Sequence, residues 1–146
     1  MKKILVVDDE SLLVKMVSLY LTLIGYAVTT AISGEEALSY LRLLRFDLIL
    51  CDIHMDDMDG FTVLAACKAL HPQTKMILCS GDIADETVRR AFTCGADSFL
   101  AKPFHIDELR RRINRCLSCE PQEDPEIMAA ADPQYATLPP GKLFCA

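Results

Sequence analysis

The stretch that most limits what this chain can fold into is Leu48-Ile49-Leu50-Cys51, closed by Asp52. It is a short, unbroken apolar run, as a strand buried on both faces of a parallel sheet needs. In an open α/β sheet, ligands bind in the crevice outside the carboxyl ends of the strands. Asp52 therefore stands at the mouth of a site, on a rigid strand, with the acidic loop of residues 53–60 behind it. Taken alone, an aspartate at a strand end more often merely starts a turn. Its company reverses that reading.

Residues 4–7, β-branched and aliphatic, form a second such run and end in Asp8 and Asp9. Residues 26–31, 75–79 and 98–101 supply three more, the last two running into Ser80-Gly81-Asp82 and Lys102-Pro103-Phe104. Between the runs, apolar residues recur at helical spacing. They are Leu12, Leu13, Met16, Val17, Tyr20, Leu21 and Ile24 before Gly25, then Ala37, Leu38, Leu41 and Leu44 after Ser33-Gly34-Glu35-Glu36. Phe61, Val63, Leu64, Cys67 and Leu70 follow between Asp59-Gly60 and the terminator His71-Pro72. A fourth helix covers about 84–93 and stops at Gly95, since glycine tolerates positive φ. The fifth, 106–117, turns Ile106, Leu109, Ile113, Cys116 and Leu117 inward and Arg110, Arg111, Arg112 and Arg115 largely outward.

Five strands alternating with five helices predict an α/β fold, a parallel sheet covered on both faces. Right-handed crossovers leave few arrangements. The doubly wound, flavodoxin-like order 2-1-3-4-5 puts strands one and three side by side where the winding reverses. Asp8, Asp9 and Asp52 then converge, and Ser80 and Lys102 arrive from neighbouring strand ends. Residues 1–118 make this one domain. Residues 119–146, with Glu120-Pro121 and Leu138-Pro139-Pro140-Gly141, are breaker-rich and predict a mostly irregular tail with no output domain.

The 146 residues suffice for one domain with a real core. No apolar run approaches the length of a membrane span. The apolar start breaks at Asp8-Asp9-Glu10, too early for a signal peptide, which predicts a cytoplasmic protein. The seven cysteines are an odd count, and without a secretory signal they argue against a disulfide framework. Cys116-Leu117-Ser118-Cys119 has no second pair with which to complete a zinc site and is read as a helix-end coincidence. A net charge of −6 makes a nucleic-acid backbone a poor partner. A cation or a basic protein face suits it better.

Crowded carboxylates raise one another's pKa, and a hard divalent cation resolves the conflict. Mg²⁺ prefers oxygen ligands and is usually held by one or two carboxylates plus a phosphate. The set therefore predicts part of a Mg²⁺ site that awaits a phosphoryl group, with Lys102 as a point charge and Ser80 as a hydroxyl donor for its oxygens. Phosphoryl transfer asks little beyond positioning and charge neutralisation. An aspartate can serve as its nucleophile.

With these residues in view, the chain resembles a response-regulator receiver domain of two-component signalling, close in pattern to stand-alone chemotaxis-type regulators. The resemblance rests on Asp8-Asp9 after Ile4-Leu5-Val6-Val7, on Asp52, on Met55 with Met58-Asp59-Gly60, and on Ser80-Gly81 and Lys102-Pro103-Phe104. It covers roughly residues 2–118. It implies that Asp52 accepts a phosphoryl group from the phosphohistidine of a sensor histidine kinase or phosphotransfer protein. It also implies that Asp9 and Asp52 ligate Mg²⁺, Asp8 largely through water, with the His54 backbone carbonyl beside them. Lys102 and Ser80 would bind the phosphoryl oxygens, and Pro103 would follow a cis peptide. Ser80 and Phe99 would be the switch pair that remodels the face of the fourth helix, fifth strand and fifth helix for a downstream protein target or a homodimer.

Asp56 stands where the family often has proline, which predicts a looser and more acidic loop. His54 and Asp82, each two residues past a site residue, flank the route of attacking water and are expected to tune the lifetime of the phosphorylated state. Three other functions compete. A Mg²⁺-dependent aspartyl-phosphate hydrolase commonly needs an acid where His54 stands. A degenerate interaction platform would not need the complete pocket. A DNA-binding regulator needs more than so short and acidic a tail.

Overall fold

The computed structural model describes residues 1–118 of the chain. The elements run β1 (Lys3–Val7), α1 (Ser11–Leu23), β2 (Ala27–Ala31), α2 (Gly34–Leu43) and β3 (Leu48–Asp52). They continue with α3 (Gly60–Leu70), β4 (Lys75–Ser80), α4 (Asp85–Thr93), β5 (Ser98–Ala101) and α5 (Ile106–Leu117). The strands form one parallel sheet in the order β2-β1-β3-β4-β5, the flavodoxin-like order that the alternation predicts. The expected irregular tail, residues 119–146, lies outside the described residues.

Register sets the functional edge. Val7 pairs with Cys51, Asp52 with Cys79 and Ser80 with Ala101. Asp8 and Asp52 are thus level, while Ser80 stands one residue and Lys102 two residues further along, all at the same edge of the sheet. The ladder continues past the strand ends, with Asp8 N–H donating to the Ala31 carbonyl (3.1 Å), Ile53 N–H to Cys79 (2.9 Å) and Lys102 N–H to Ser80 (2.9 Å). Backbone held this way fixes where the side chains start.

Because strand side chains alternate between faces, each strand feeds two cores. Leu5, Ile49, Leu78 and Phe99 pack with residues of α2, α3 and α4. Ile4, Leu50, Ile77 and Leu100 pack with α1 and α5. Each fully buried aliphatic side chain stabilises by about 1.5–3 kcal/mol, so both layers are firmly seated. Ser33 caps α2 by accepting from Glu36 N–H, and Asp59 caps α3 by accepting from Thr62 N–H. Gly25 (φ 105°) and Gly95 (φ 110°) supply the left-handed residues just past α1 and α4.

Three side-chain expectations are corrected. In α1 only Val14, Val17 and Leu21 are buried, while Leu12 and Met16 face solvent. In α5 Ile106 is exposed and Arg112 is buried at 5%, paired with Glu108 (3.2 Å) and near Ser98 Oγ (3.4 Å). Cys51, Cys67, Cys79 and Cys94 are free, but Cys116 is disulfide-bonded.

Candidate functional site

The carboxylates of Asp8, Asp9 and Asp52 offer oxygens that all lie within 4.8 Å of one another. Asp8 and Asp52 are buried and Asp9 is exposed. Lys102 reaches over from the end of β5, its Nζ 2.6 Å from Asp8 Oδ2 and 3.3 Å from Asp52 Oδ1. The other Asp8 oxygen accepts from Glu10 N–H at 2.9 Å, which orients the carboxylate at the turn into α1. The Lys102–Pro103 peptide is cis.

The electrostatics follow from this crowding. Burial raises the Asp52 carboxyl above its ordinary pKa; Lys102 opposes the shift, and Asp8 and Asp9 reinforce it. Burial alone would lower the Lys102 ammonium, but its hydrogen bond to Asp8 and the charges of Asp52 and Asp8 leave it raised. Three carboxylates against one ammonium leave excess negative charge. An all-oxygen donor set of that charge fits a small, hard divalent cation.

Ser80 is fully buried, and its Oγ accepts from Asp82 N–H at 2.9 Å. Asp82 in turn accepts from Ala84 N–H (3.1 Å) and Thr87 Oγ1 (2.8 Å), tying the β4–α4 loop to the start of α4. Phe99 is fully buried in the α2–α3–α4 core, on the sheet face it shares with Leu78. His54 is exposed and close enough for its charge to help hold the Asp82 carboxyl below the usual range, behind the larger effects of Thr87 and the Ala84 amide.

Sequence reading missed Asp57. Its two carboxylate oxygens accept from Gly34 N–H (3.1 Å) and Glu35 N–H (2.8 Å), so the loop that Asp56 was expected to loosen is fastened to α2. No local signal pairs residues 22 or 23 positions apart. Gly60 was legible as a helix start, but not for its close approach to β3. A Cβ there would stand 2.5 Å from the Asp52 carbonyl oxygen, so only glycine admits so close an approach.

A doubly wound parallel sheet whose switch point holds a cluster of carboxylates bridged by one lysine defines the class, a flavodoxin-like α/β domain with an acidic pocket at its strand ends. The chain belongs to the response regulator receiver domain family, whose model matches residues 4–114. It is thus a receiver of two-component signalling. It is 33% identical over 135 residues to the transcriptional regulatory protein ZraR of Salmonella typhimurium, covering 92% of this chain and 31% of that protein. Among solved structures it is similar to a CheY-like receiver domain protein from Methanospirillum hungatei, with TM-score 0.77 and 31% identity over 80% of this chain and 94% of that one. The chemotaxis response regulator CheY4 of Vibrio cholerae gives TM-score 0.74 and 33% identity, over 79% and 98%. The chain spans a third to a half of the length of curated relatives such as ZraR (31%) and the Caulobacter vibrioides cell cycle regulator CtrA (48%). Among the described residues no helix is long and apolar enough to cross a membrane.

Proposed function

We propose that Asp52 accepts the phosphoryl group of a phosphohistidine on a sensor histidine kinase or phosphotransfer protein. One Asp52 oxygen forms the new bond to phosphorus as the bond from phosphorus to the donor's imidazole nitrogen breaks. Asp8, Asp9 and Asp52 would hold Mg²⁺ together with the His54 carbonyl. Bound there, the ion would neutralise negative charge on the phosphoryl oxygens. Lys102 supplies the second cation at the same point, and Ser80 can bind a phosphoryl oxygen once its hydroxyl turns from Asp82 N–H. The observation that carries this reading is the convergence of three carboxylates and Lys102 at the end of β3.

On this reading the protein is a phosphoacceptor in the cytoplasm, not a turnover enzyme. Its output is a population shift, because the phosphoryl group favours whichever arrangement of Ser80, Phe99 and α4 gives it better contacts. The α4–β5–α5 face then meets a protein target or a second copy. The exposed apolar row of α1, which starts at the rim of the acid cluster, suits a helix of the phosphodonor. His54 and Asp82, within electrostatic reach of each other, would set how fast water removes the phosphoryl group.

Acetyl phosphate with Mg²⁺ should add a labile, hydroxylamine-sensitive phosphoryl group to the wild type and none to Asp52→Asn. Label retained by Asp52→Asn would sink the reading. Exchanging His54 and Asp82 together should change the decay rate of the label, and an unchanged rate would remove those two residues from the account.

A further inference from the structure

We propose that Asp57 is a positioning residue for the cation site, fastening the β3–α3 loop to the N-terminus of α2 and so fixing the His54 carbonyl beside Asp52. The inference rests on the reading that the acid cluster and that carbonyl hold Mg²⁺. The loop is anchored at its two ends by Ile53 N–H donating to the Cys79 carbonyl (2.9 Å) and Gly60 N–H donating to the Ile53 carbonyl (2.8 Å). The span between must carry His54 past the site without drifting, and Asp57 gives it a third anchor.

That anchor is bidentate. Asp57 meets Gly34 N–H and Glu35 N–H, two of the donors that a helix start leaves without intrahelical partners. Ser33 Oγ takes the third, from Glu36 (3.1 Å). The positive end of α2 adds attraction for a carboxylate at this place. The Glu35 amide, with burial opposing and the Gly34 amide adding, holds the Asp57 carboxyl below the usual range.

Steric contact reinforces the polar one. A Cβ on Gly34 would collide with Met58 Cγ and come within 2.7 Å of its Sδ. Met58 packs against the α2–α3–α4 core. The loop is thus pressed onto α2 by Met58 and tied to it by Asp57, through adjacent residues. Gly34 leaves the space that the Met58 side chain fills.

A plain helix cap would explain the hydrogen bonds alone, and the two roles separate experimentally. Isothermal titration of metal-free full-length protein with MgCl₂ should show Asp57→Ala weakened about tenfold, the lower end of what outer-shell partners of a metal site usually contribute. Asp57→Asn, which keeps an acceptor oxygen, should fall between Asp57→Ala and wild type. Gly34→Ala leaves the Asp57 carboxylate intact yet pushes Met58 and the loop away, so it should weaken Mg²⁺ binding as well. In the wild type, Mg²⁺ should slow hydrogen exchange at the Gly34 and Glu35 amides. Variants that melt earlier but bind Mg²⁺ as the wild type does would make Asp57 a cap only and overturn the inference. Unchanged exchange at Gly34 and Glu35 would do the same. A wild type that binds no Mg²⁺ would instead overturn the reading of the acid cluster, and this inference with it.

Discussion

Asp52 holds its charge in unfavourable surroundings. It is buried beside Asp8, with one lysine shared between them, and its carboxyl is raised above the ordinary value of 3.8. A raised folded-state pKa means that the native state binds the proton more tightly than the unfolded chain does. The resulting penalty is fully present above the folded pKa and is relieved as pH falls through it toward 3.8. In metal-free buffer near pH 7, Asp52→Asn should therefore stabilise the protein by on the order of 1 kcal/mol, as removal of a strained buried charge does, while Lys102 keeps Asp8 at 2.6 Å. Urea titrations at several pH values check this, and the advantage of Asp52→Asn should shrink as the wild type sheds its charge in acid. An advantage that grows toward acid would refute it. Asp8, Asp52, Ser80 and Lys102 were legible from sequence because each ends or follows an apolar run, and a parallel sheet brings such ends to one edge. Asp57 was not, because its partners lie on another element and nothing in its own neighbourhood names them.

Among the elements, α5 marks where reading a charge run misleads. Arg110, Arg111, Arg112 and Arg115 look like one solvated stripe, yet Arg112 is buried against Ser98 of β5 and paired with Glu108. The spacing held the answer. Arg112 is three residues past Leu109 and four before Cys116, on the inward face with Ile113. Its stem packs with the core while its guanidinium finds partners at the edge. Arg112→Ala removes both and should destabilise by about 2–3 kcal/mol. Arg112→Met keeps the apolar stem and should cost clearly less, because Glu108 is exposed enough for water to take over its carboxylate. Chemical denaturation of both variants decides between them. Equal losses would mean that the charge pairing, rather than the packing, dominates. The same physics explains why α1 was only half legible. It is apolar nearly all round, so periodicity predicts the helix but cannot choose which face the sheet covers.

That uncommitted face of α1 matters at the scale of the whole molecule. Leu12 (66% exposed), Met16 (58%), Leu19 (68%) and Leu23 (84%) recur at steps of four, three and four, one continuous apolar row on the helix surface. Single exposed apolar residues need no explanation, but an aligned row along a whole helix is a surface built to be covered. Its upper end adjoins Asp8 and Asp9, since α1 starts at Ser11. On the proposed reading, a donor helix laid along the row would bring its histidine toward Asp52, with main-chain ladders on either side holding that aspartate still. None of the four side chains supports the core, so Met16→Glu with Leu19→Glu should change folding stability by only about 0.5 kcal/mol per site. Docking through an apolar row should suffer far more. Transfer from the phosphorylated histidine domain of a kinase that labels the wild type should slow about tenfold, equivalent to 1.4 kcal/mol of lost interaction. Labelling by acetyl phosphate, which needs no docking surface, should be unchanged. If both donors slow together, the substitutions have disturbed the acid cluster itself; if neither slows, the kinase approaches from another side of the sheet edge.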